Sequence, residues 1–181
     1  MKVLFVCTGN ICRSPIAHRM LERYGEENKL RLEVSSAGTR ALNGAPMHVE
    51  SRRALRLLGF EPGDFESRML TPAIAADCDL LLGMTRQHRA AARQLAPTRW
   101  RRMLTLREIA METGSETVHT SRAVDPTAAR LDIRDPVGRS AEVFNEVAKE
   151  IAASVQALTV WIETHSTGGT LIKPSRSEHA N

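Results

Sequence analysis

Short apolar runs alternate with amphipathic stretches along this chain. The first run, Val-Leu-Phe-Val at residues 3–6, contains no polar position, as expected of a strand buried on both faces in a parallel sheet. Repeating the reading along the chain predicts strands near 2–6, 32–36, 79–84 and 101–105. Helices are predicted near 15–27, 47–58, 86–95 and 140–164. The last helix places Val143, Phe144, Val147, Ile151, Val155, Leu158 and Ile162 on one stripe. Strands that alternate with helices imply an α/β domain of three layers, with a four-stranded parallel sheet flanked by helices and right-handed crossovers.

What joins the first strand to the first helix changes the picture. Cys7 ends the strand, and Ser14-Pro15 reads as an N-cap with proline at the first helical position. Residues 8–13 must turn tightly between them, and Gly9 and Asn10 are the types best able to take unusual backbone angles. Such a loop points backbone N–H groups and a helix dipole at one spot, which suits an oxyanion. A thiol held there is stabilised as thiolate, the nucleophilic form. Arg13 adds a planar fork able to hold two phosphate oxygens. Taken singly, these residues also fit a buried thiol, a surface arginine and a plain helix start; the ordered combination favours phosphate chemistry.

Two Asp-Pro pairs compete as the source of an acid, Asp125-Pro126 and Asp135-Pro136. The second leads through Gly138 and Ser140 into the long amphipathic helix, so its loop is anchored, whereas Asp125 lies in a polar stretch. Turn formation alone also accounts for an Asp-Pro pair.

The segment Cys7-Thr8-Gly9-Asn10-Ile11-Cys12-Arg13-Ser14-Pro15 resembles the Cys-x5-Arg-Ser loop of the low-molecular-weight protein tyrosine phosphatases, which that family carries at the end of its first strand. The likeness continues through Ser36-Ala37-Gly38-Thr39, Met84-Thr85-Arg86-Gln87-His88 and Asp132-Ile133-Arg134-Asp135-Pro136-Val137-Gly138, and spans about residues 1–164. It implies a flavodoxin-like sheet of order 2-1-3-4, with ligand bound at the carboxyl ends of the strands. It further implies hydrolysis of phosphotyrosine in proteins through a cysteinyl phosphate, with Cys7 as nucleophile and Asp135 as general acid and base. Thr8, Gly9, Asn10, Ile11, Cys12, Arg13 and Ser14 would hold the phosphate, and Asn10, Ser14 and Ser36 would brace the loop. Cys12 would either trap an oxidised Cys7 as a disulfide or serve only as a small buried residue that fills the loop. The substrate would be a phosphorylated protein and a tyrosine kinase the opposing partner, with neither metal nor cofactor required.

The family grips a phenyl ring between aromatic rim residues. Here the corresponding stretches read Arg40-Ala41-Leu42-Asn43 and Asp135-Pro136-Val137-Gly138, so Leu42 and Val137 are left as an apolar rim. His18 stands where the family commonly has glutamate. Three rivals of this reading are an arginine phosphatase, a thiol-dependent arsenate reductase and a catalytically silent phosphopeptide-binding module. Arginine phosphatases typically carry threonine where this loop has Ile11. Arsenate reductases need a further cysteine pair, and Cys78 has no such partner. Intact Cys7, Arg13 and Asp135 speak against a silent module.

Composition narrows the class. With 181 residues, 42% hydrophobic and 25% charged, the chain suits one globular domain, expected over residues 1–164 with a loose tail at 165–181. The polar stretch 113–130 reads as a lid or an insertion before the acid loop. No apolar run approaches the ~18 residues needed to span a membrane. Three cysteines, one of them reactive, suit a reducing cytoplasm better than a disulfide framework. The six histidines show no metal-ligand spacing. Arginines cluster between Arg86 and Arg107, but a net charge of +4 and few aromatics do not make a nucleic-acid surface, so most are expected to be solvated. Nothing in the sequence chooses an oligomeric state.

Overall fold

The computed structural model describes residues 1–113 and 129–166. Four strands, β1 (Lys2–Cys7), β2 (Glu33–Gly38), β3 (Leu80–Gly83) and β4 (Met103–Thr105), pair in parallel in the order β2-β1-β3-β4. Among the described residues six α-helices accompany them: α1 (Arg13–Glu27), α2 (Val49–Leu57), α3 (Pro72–Ala76), α4 (Arg86–Leu95), α5 (Leu106–Thr113) and α6 (Ala141–Ser166). The central strand explains the layering. Because side chains alternate along a strand, Val3 and Phe5 enter one core with Ile16 and Met20 of α1 and Val147, Ile151 and Val155 of α6. Leu4 and Val6 enter the other, with Leu81, Ala92 and Met103. The chain switches direction across β1, whose carboxyl end therefore opens between two crossovers, where ligands of such sheets bind.

Several local expectations are corrected. The first helix begins at Arg13, with Cys12 in the cap position and no side-chain cap bond, because the Ser14 hydroxyl is turned into the loop instead of capping the helix. Helices α3 and α5 were not predicted. The five residues of α3 are too few to show a period. Helix α5 follows β4 without a loop, yet its start was legible as a capping box: Glu108 N–H donates to Thr105 Oγ1 at 3.2 Å, and Thr105 N–H donates back to Glu108 Oε2.

The arginine cluster is also less solvated than expected. Arg89 and Glu108 form a buried ion pair between α4 and α5. Arg93 donates to the Met103 carbonyl, and Arg107 pairs with Glu150 of α6. Cys78 lies in the second core. No helix among the described residues is long and apolar enough to cross a membrane. The stretch 114–128, with Asp125, and residues 167–181 of the tail lie outside the described residues, and α6 carries the fold two residues past the expected boundary at 164.

Candidate active site

The loop after β1 closes on itself around the thiol. Asn10 takes a left-handed conformation, with φ at 53°, and its side chain is buried. Its amide donates to Ser14 Oγ and to Ser36 Oγ, both at 2.9 Å, and its carbonyl oxygen accepts from Arg68 N–H at 2.9 Å. One side chain thus ties together the loop, the start of α1, the end of β2 and the segment ahead of α3. Ser14 Oγ lies 3.0 Å from Cys7 Sγ. Ser14 already accepts from Asn10, and its hydroxyl hydrogen is available to donate to sulfur. Cys7 and Cys12 are both free and buried. Burial pushes the Cys12 thiol up to about 12.

Backbone contacts complete the loop's support. Thr8 O and Cys7 O accept from Arg40 N–H and Thr39 N–H at 2.9 Å, and Ile11 O accepts from His48 N–H at 2.8 Å. These carbonyls point outward. The N–H groups of Gly9, Asn10, Ile11 and Cys12 make no protein hydrogen bond among the described residues, which leaves a set of donors suited to an oxyanion.

Arg13 is buried beneath this loop at 3% exposure. Nη1 donates to the Ile133 carbonyl at 3.0 Å and Nη2 to Asp135 Oδ2 at 2.5 Å. Its Nε is buried without a partner among the described residues. A buried guanidinium N–H left unmet costs free energy unless a ligand accepts it, so the arrangement fits an anion.

The acid loop is held at several points. Ile133 N–H donates to Met84 O at 2.8 Å, continuing the direction of β3. Asp132 takes Arg86 N–H at 2.7 Å and the Arg86 guanidinium across both carboxylate oxygens, Nε at 3.2 Å from Oδ1 and Nη2 at 2.9 Å from Oδ2. Partial burial works against ionisation, but the hydrogen bonds and charge of Arg86 outweigh it and hold the Asp132 carboxyl below its ordinary value. Asp135 Oδ1 accepts Val137 N–H at 3.2 Å, the turn geometry expected of Asp-Pro, while Oδ2 reaches Arg13. Turn chemistry and a place in the site therefore coexist in one residue. Its side chain is 47% exposed, open to a substrate.

Ser36 and Asp135 are joined to the residues singled out in the loop, Ser36 through Asn10 and Asp135 through Arg13. Leu42 and Val137 stand on separate loops at 81% and 56% exposure, Leu42 beyond β2 and Val137 beside the acid. His18 has its Nε2 3.1 Å from Glu22 and its Nδ1 3.3 Å from Ser36 Oγ. Sequence reasoning gave no role to Thr85, His88 or Arg68. The signal for the first two was a Thr-x-x-His helix start inside a segment already noted. Among the described residues no cluster of His, Cys, Asp or Glu could hold a metal ion.

Comparison with known proteins agrees with this geometry. The model of the family described as low molecular weight phosphotyrosine protein phosphatase matches residues 2–167. The low molecular weight protein-tyrosine phosphatase A of Mycobacterium tuberculosis strain H37Rv is 30% identical over 168 residues, covering 90% of this chain and 92% of its own. A protein-arginine-phosphatase of Bacillus subtilis is 29% identical over 161 residues, covering 87% and 94%. Among solved structures, a low molecular weight protein tyrosine phosphatase from T. tengcongensis superposes with a TM-score of 0.74 at 28% identity, covering 89% of this chain and 99% of that one. An arginine phosphatase mutant with a phosphorylated active-site serine superposes with a TM-score of 0.76 at 26% identity, covering 90% and 96%. The chain belongs to the low molecular weight phosphotyrosine protein phosphatase family, and it is a phosphatase with the four-stranded parallel sheet of that family.

Proposed function

We propose that this protein hydrolyses phosphotyrosine in proteins, with Cys7 as nucleophile, Arg13 as the phosphate-binding cation and Asp135 as general acid and base. The observation that carries this reading is the convergence of Cys7 Sγ, bonded to Ser14, with a buried Arg13 whose Nε lacks a partner and whose Nη2 touches Asp135. In the first step a bond forms from Cys7 sulfur to phosphorus as the ester P–O bond breaks, and Asp135 gives its proton to the leaving oxygen. In the second, Asp135 takes a proton from water, which attacks phosphorus and releases Cys7 thiolate and inorganic phosphate. Arg13 and the loop amides hold the charge on the equatorial oxygens.

Ile11, in place of a hydroxyl-bearing residue, supports the phosphotyrosine reading, with Leu42 and Val137 serving as an aliphatic wall for the ring. Hydrolysis of phosphoarginine is the second reading, favoured by the similarity to the B. subtilis arginine phosphatase and by the lack of an aromatic rim. The substrate is a phosphoprotein opposed by a tyrosine kinase, and the reducing cytoplasm suits a free Cys7. Should Cys7 be oxidised to a sulfenic acid, the Cys12 thiol can condense with it, releasing water and forming a reducible disulfide.

The test is a comparison of kcat/KM on phosphotyrosyl, phosphoarginyl and phosphoseryl peptides, with Cys7→Ser as control. Turnover of phosphotyrosine that vanishes in Cys7→Ser while phosphate binding persists supports the proposal. Retained turnover in Cys7→Ser overturns the mechanism, and preference for phosphoarginine overturns the substrate assignment.

A further inference from the structure

The phosphate loop has a second tether, running from the start of α4. His88 Nε2 lies 3.0 Å from Thr8 Oγ1, and His88 Nδ1 lies 2.9 Å from Thr85 Oγ1. The ring is buried at 6% exposure, and Thr8 follows Cys7 directly. Each contact has two possible directions, and the N-cap role of Thr85 favours one of them. Thr85 is the N-cap of α4 and its Oγ1 accepts His88 N–H at 3.3 Å, so its own hydrogen is free to go to Nδ1. A neutral imidazole with an accepting Nδ1 carries its hydrogen on Nε2. Nε2–H then donates to Thr8 Oγ1, and the Thr8 hydroxyl hydrogen must point elsewhere. Thr8 is half-buried at the mouth of the loop, with no other side-chain partner among the described residues.

We propose that His88 is a positioning residue of the active site: as the Nε2–H tautomer it fixes Thr8 as a hydrogen-bond donor to an oxygen of the bound phosphate ester. Burial, reinforced by the positive charge of Arg13 and opposed by Asp135 and Asp132, pushes His88 down to about 4, so it stays neutral through the working pH range. A protonated ring could not accept from Thr85. A neutral donor at this place orients without adding charge beside Arg13. The proposal rests on the phosphatase reading above.

Two measurements on the full chain test it. With the histidines labelled with 15N, the imidazole nitrogen shifts of His88 at neutral pH should report a protonated Nε2 and an unprotonated Nδ1. The Ki for inorganic phosphate should rise about threefold to tenfold in Thr8→Val and in His88→Ala, the loss expected of one hydrogen bond. The double variant should be no weaker than Thr8→Val alone, because both remove the same donor. His88→Gln, whose amide can occupy the Nε2 position, should restore Ki to within about twofold of wild type. An Nδ1–H tautomer, an unchanged Ki in Thr8→Val, or additive losses in the double variant overturns the proposal. If wild-type protein fails to bind phosphate, the phosphatase reading falls with it, whereas an Nδ1–H tautomer in a protein that binds phosphate overturns the positioning role alone.

Discussion

Arg13 and Asp135, 122 positions apart in the chain, meet at 2.5 Å between Nη2 and Oδ2. The contact joins the group that would hold the phosphate to the group that would protonate the leaving oxygen, so neither can shift without the other. Replacing Asp135 with Asn keeps an oxygen for Arg13 but removes the transferable proton. Asp135→Asn is expected to lower kcat on the order of 10²–10⁴ for phenyl phosphate. The loss should shrink for aryl esters with acidic phenols, whose oxygens leave without help. A loss independent of leaving-group pKa across a series of aryl phosphates would remove Asp135 from the acid role.

Arg13→Lys preserves charge but not shape. Lysine has no counterpart to Nε and cannot serve Ile133 O and Asp135 together with an ester. We expect kcat/KM to fall by at least about 10², the scale of losing one transition-state donor. Circular dichroism and a melting curve should show the fold intact. A variant within a few-fold of wild type would mean that the fork geometry is not used.

The acid loop depends on Asp132 for its hold on Arg86. In Asp132→Asn the bidentate ion pair is lost while the backbone contact of Ile133 with Met84 remains. Asp135 should then sample more positions, and kcat is expected to drop roughly tenfold with a smaller change in KM. Steady-state kinetics at several viscosities would check whether the slowed step is chemical.

Stability should fall on acidification through His88. Its folded value, about 4, lies below its ordinary 6.5, so the unfolded chain binds the extra proton first. Above pH 6.5 both states are neutral at this site and nothing changes. As pH falls from 6.5 towards 4, the unfolded state is favoured by about 1.4 kcal/mol for each unit of difference between the two values. Urea denaturation at pH 7, 5.5 and 4.5 should show a steeper loss in wild type than in His88→Gln. Parallel losses in the two proteins would contradict the assignment.

Much of this architecture was legible from residue patterning. The unbroken apolar run of β1 marked the sheet centre, and the stripe from Val143 to Ile162 marked α6, because burial on two faces or one leaves a period in the chain. The phosphate loop was legible because few backbone paths join such a strand to a helix through Gly-Asn and an arginine. What escaped was set by long-range partners. Ser14 reads as an N-cap by local rules, yet Asn10 and Cys7 draw its hydroxyl inward. Arg89 reads as solvated until Glu108 arrives from α5 to meet it. Thr85 and His88 form an ordinary helix start, and only the closeness of β1 and β3 brings Thr8 within reach.

Glycine ends the strands on both sides of β1. Gly38 pairs with Cys7 and Gly83 with Val6. A Cβ on Gly38 would come within 2.5 Å of the Thr8 carbonyl and 2.8 Å of Asn10 N, and one on Gly83 within 2.8 Å of Arg89 N and 2.9 Å of the Thr85 carbonyl. Both clashes fall on main chain, which cannot swing aside as a side chain can. Gly38→Ala should therefore silence turnover in a protein that still folds, a result that single-site activity and melting data would show. Space for the thiol's surroundings is made by two missing methyl groups: a bulkier residue at the exposed rim leaves the backbone path of the loop open, whereas one at either glycine obstructs it.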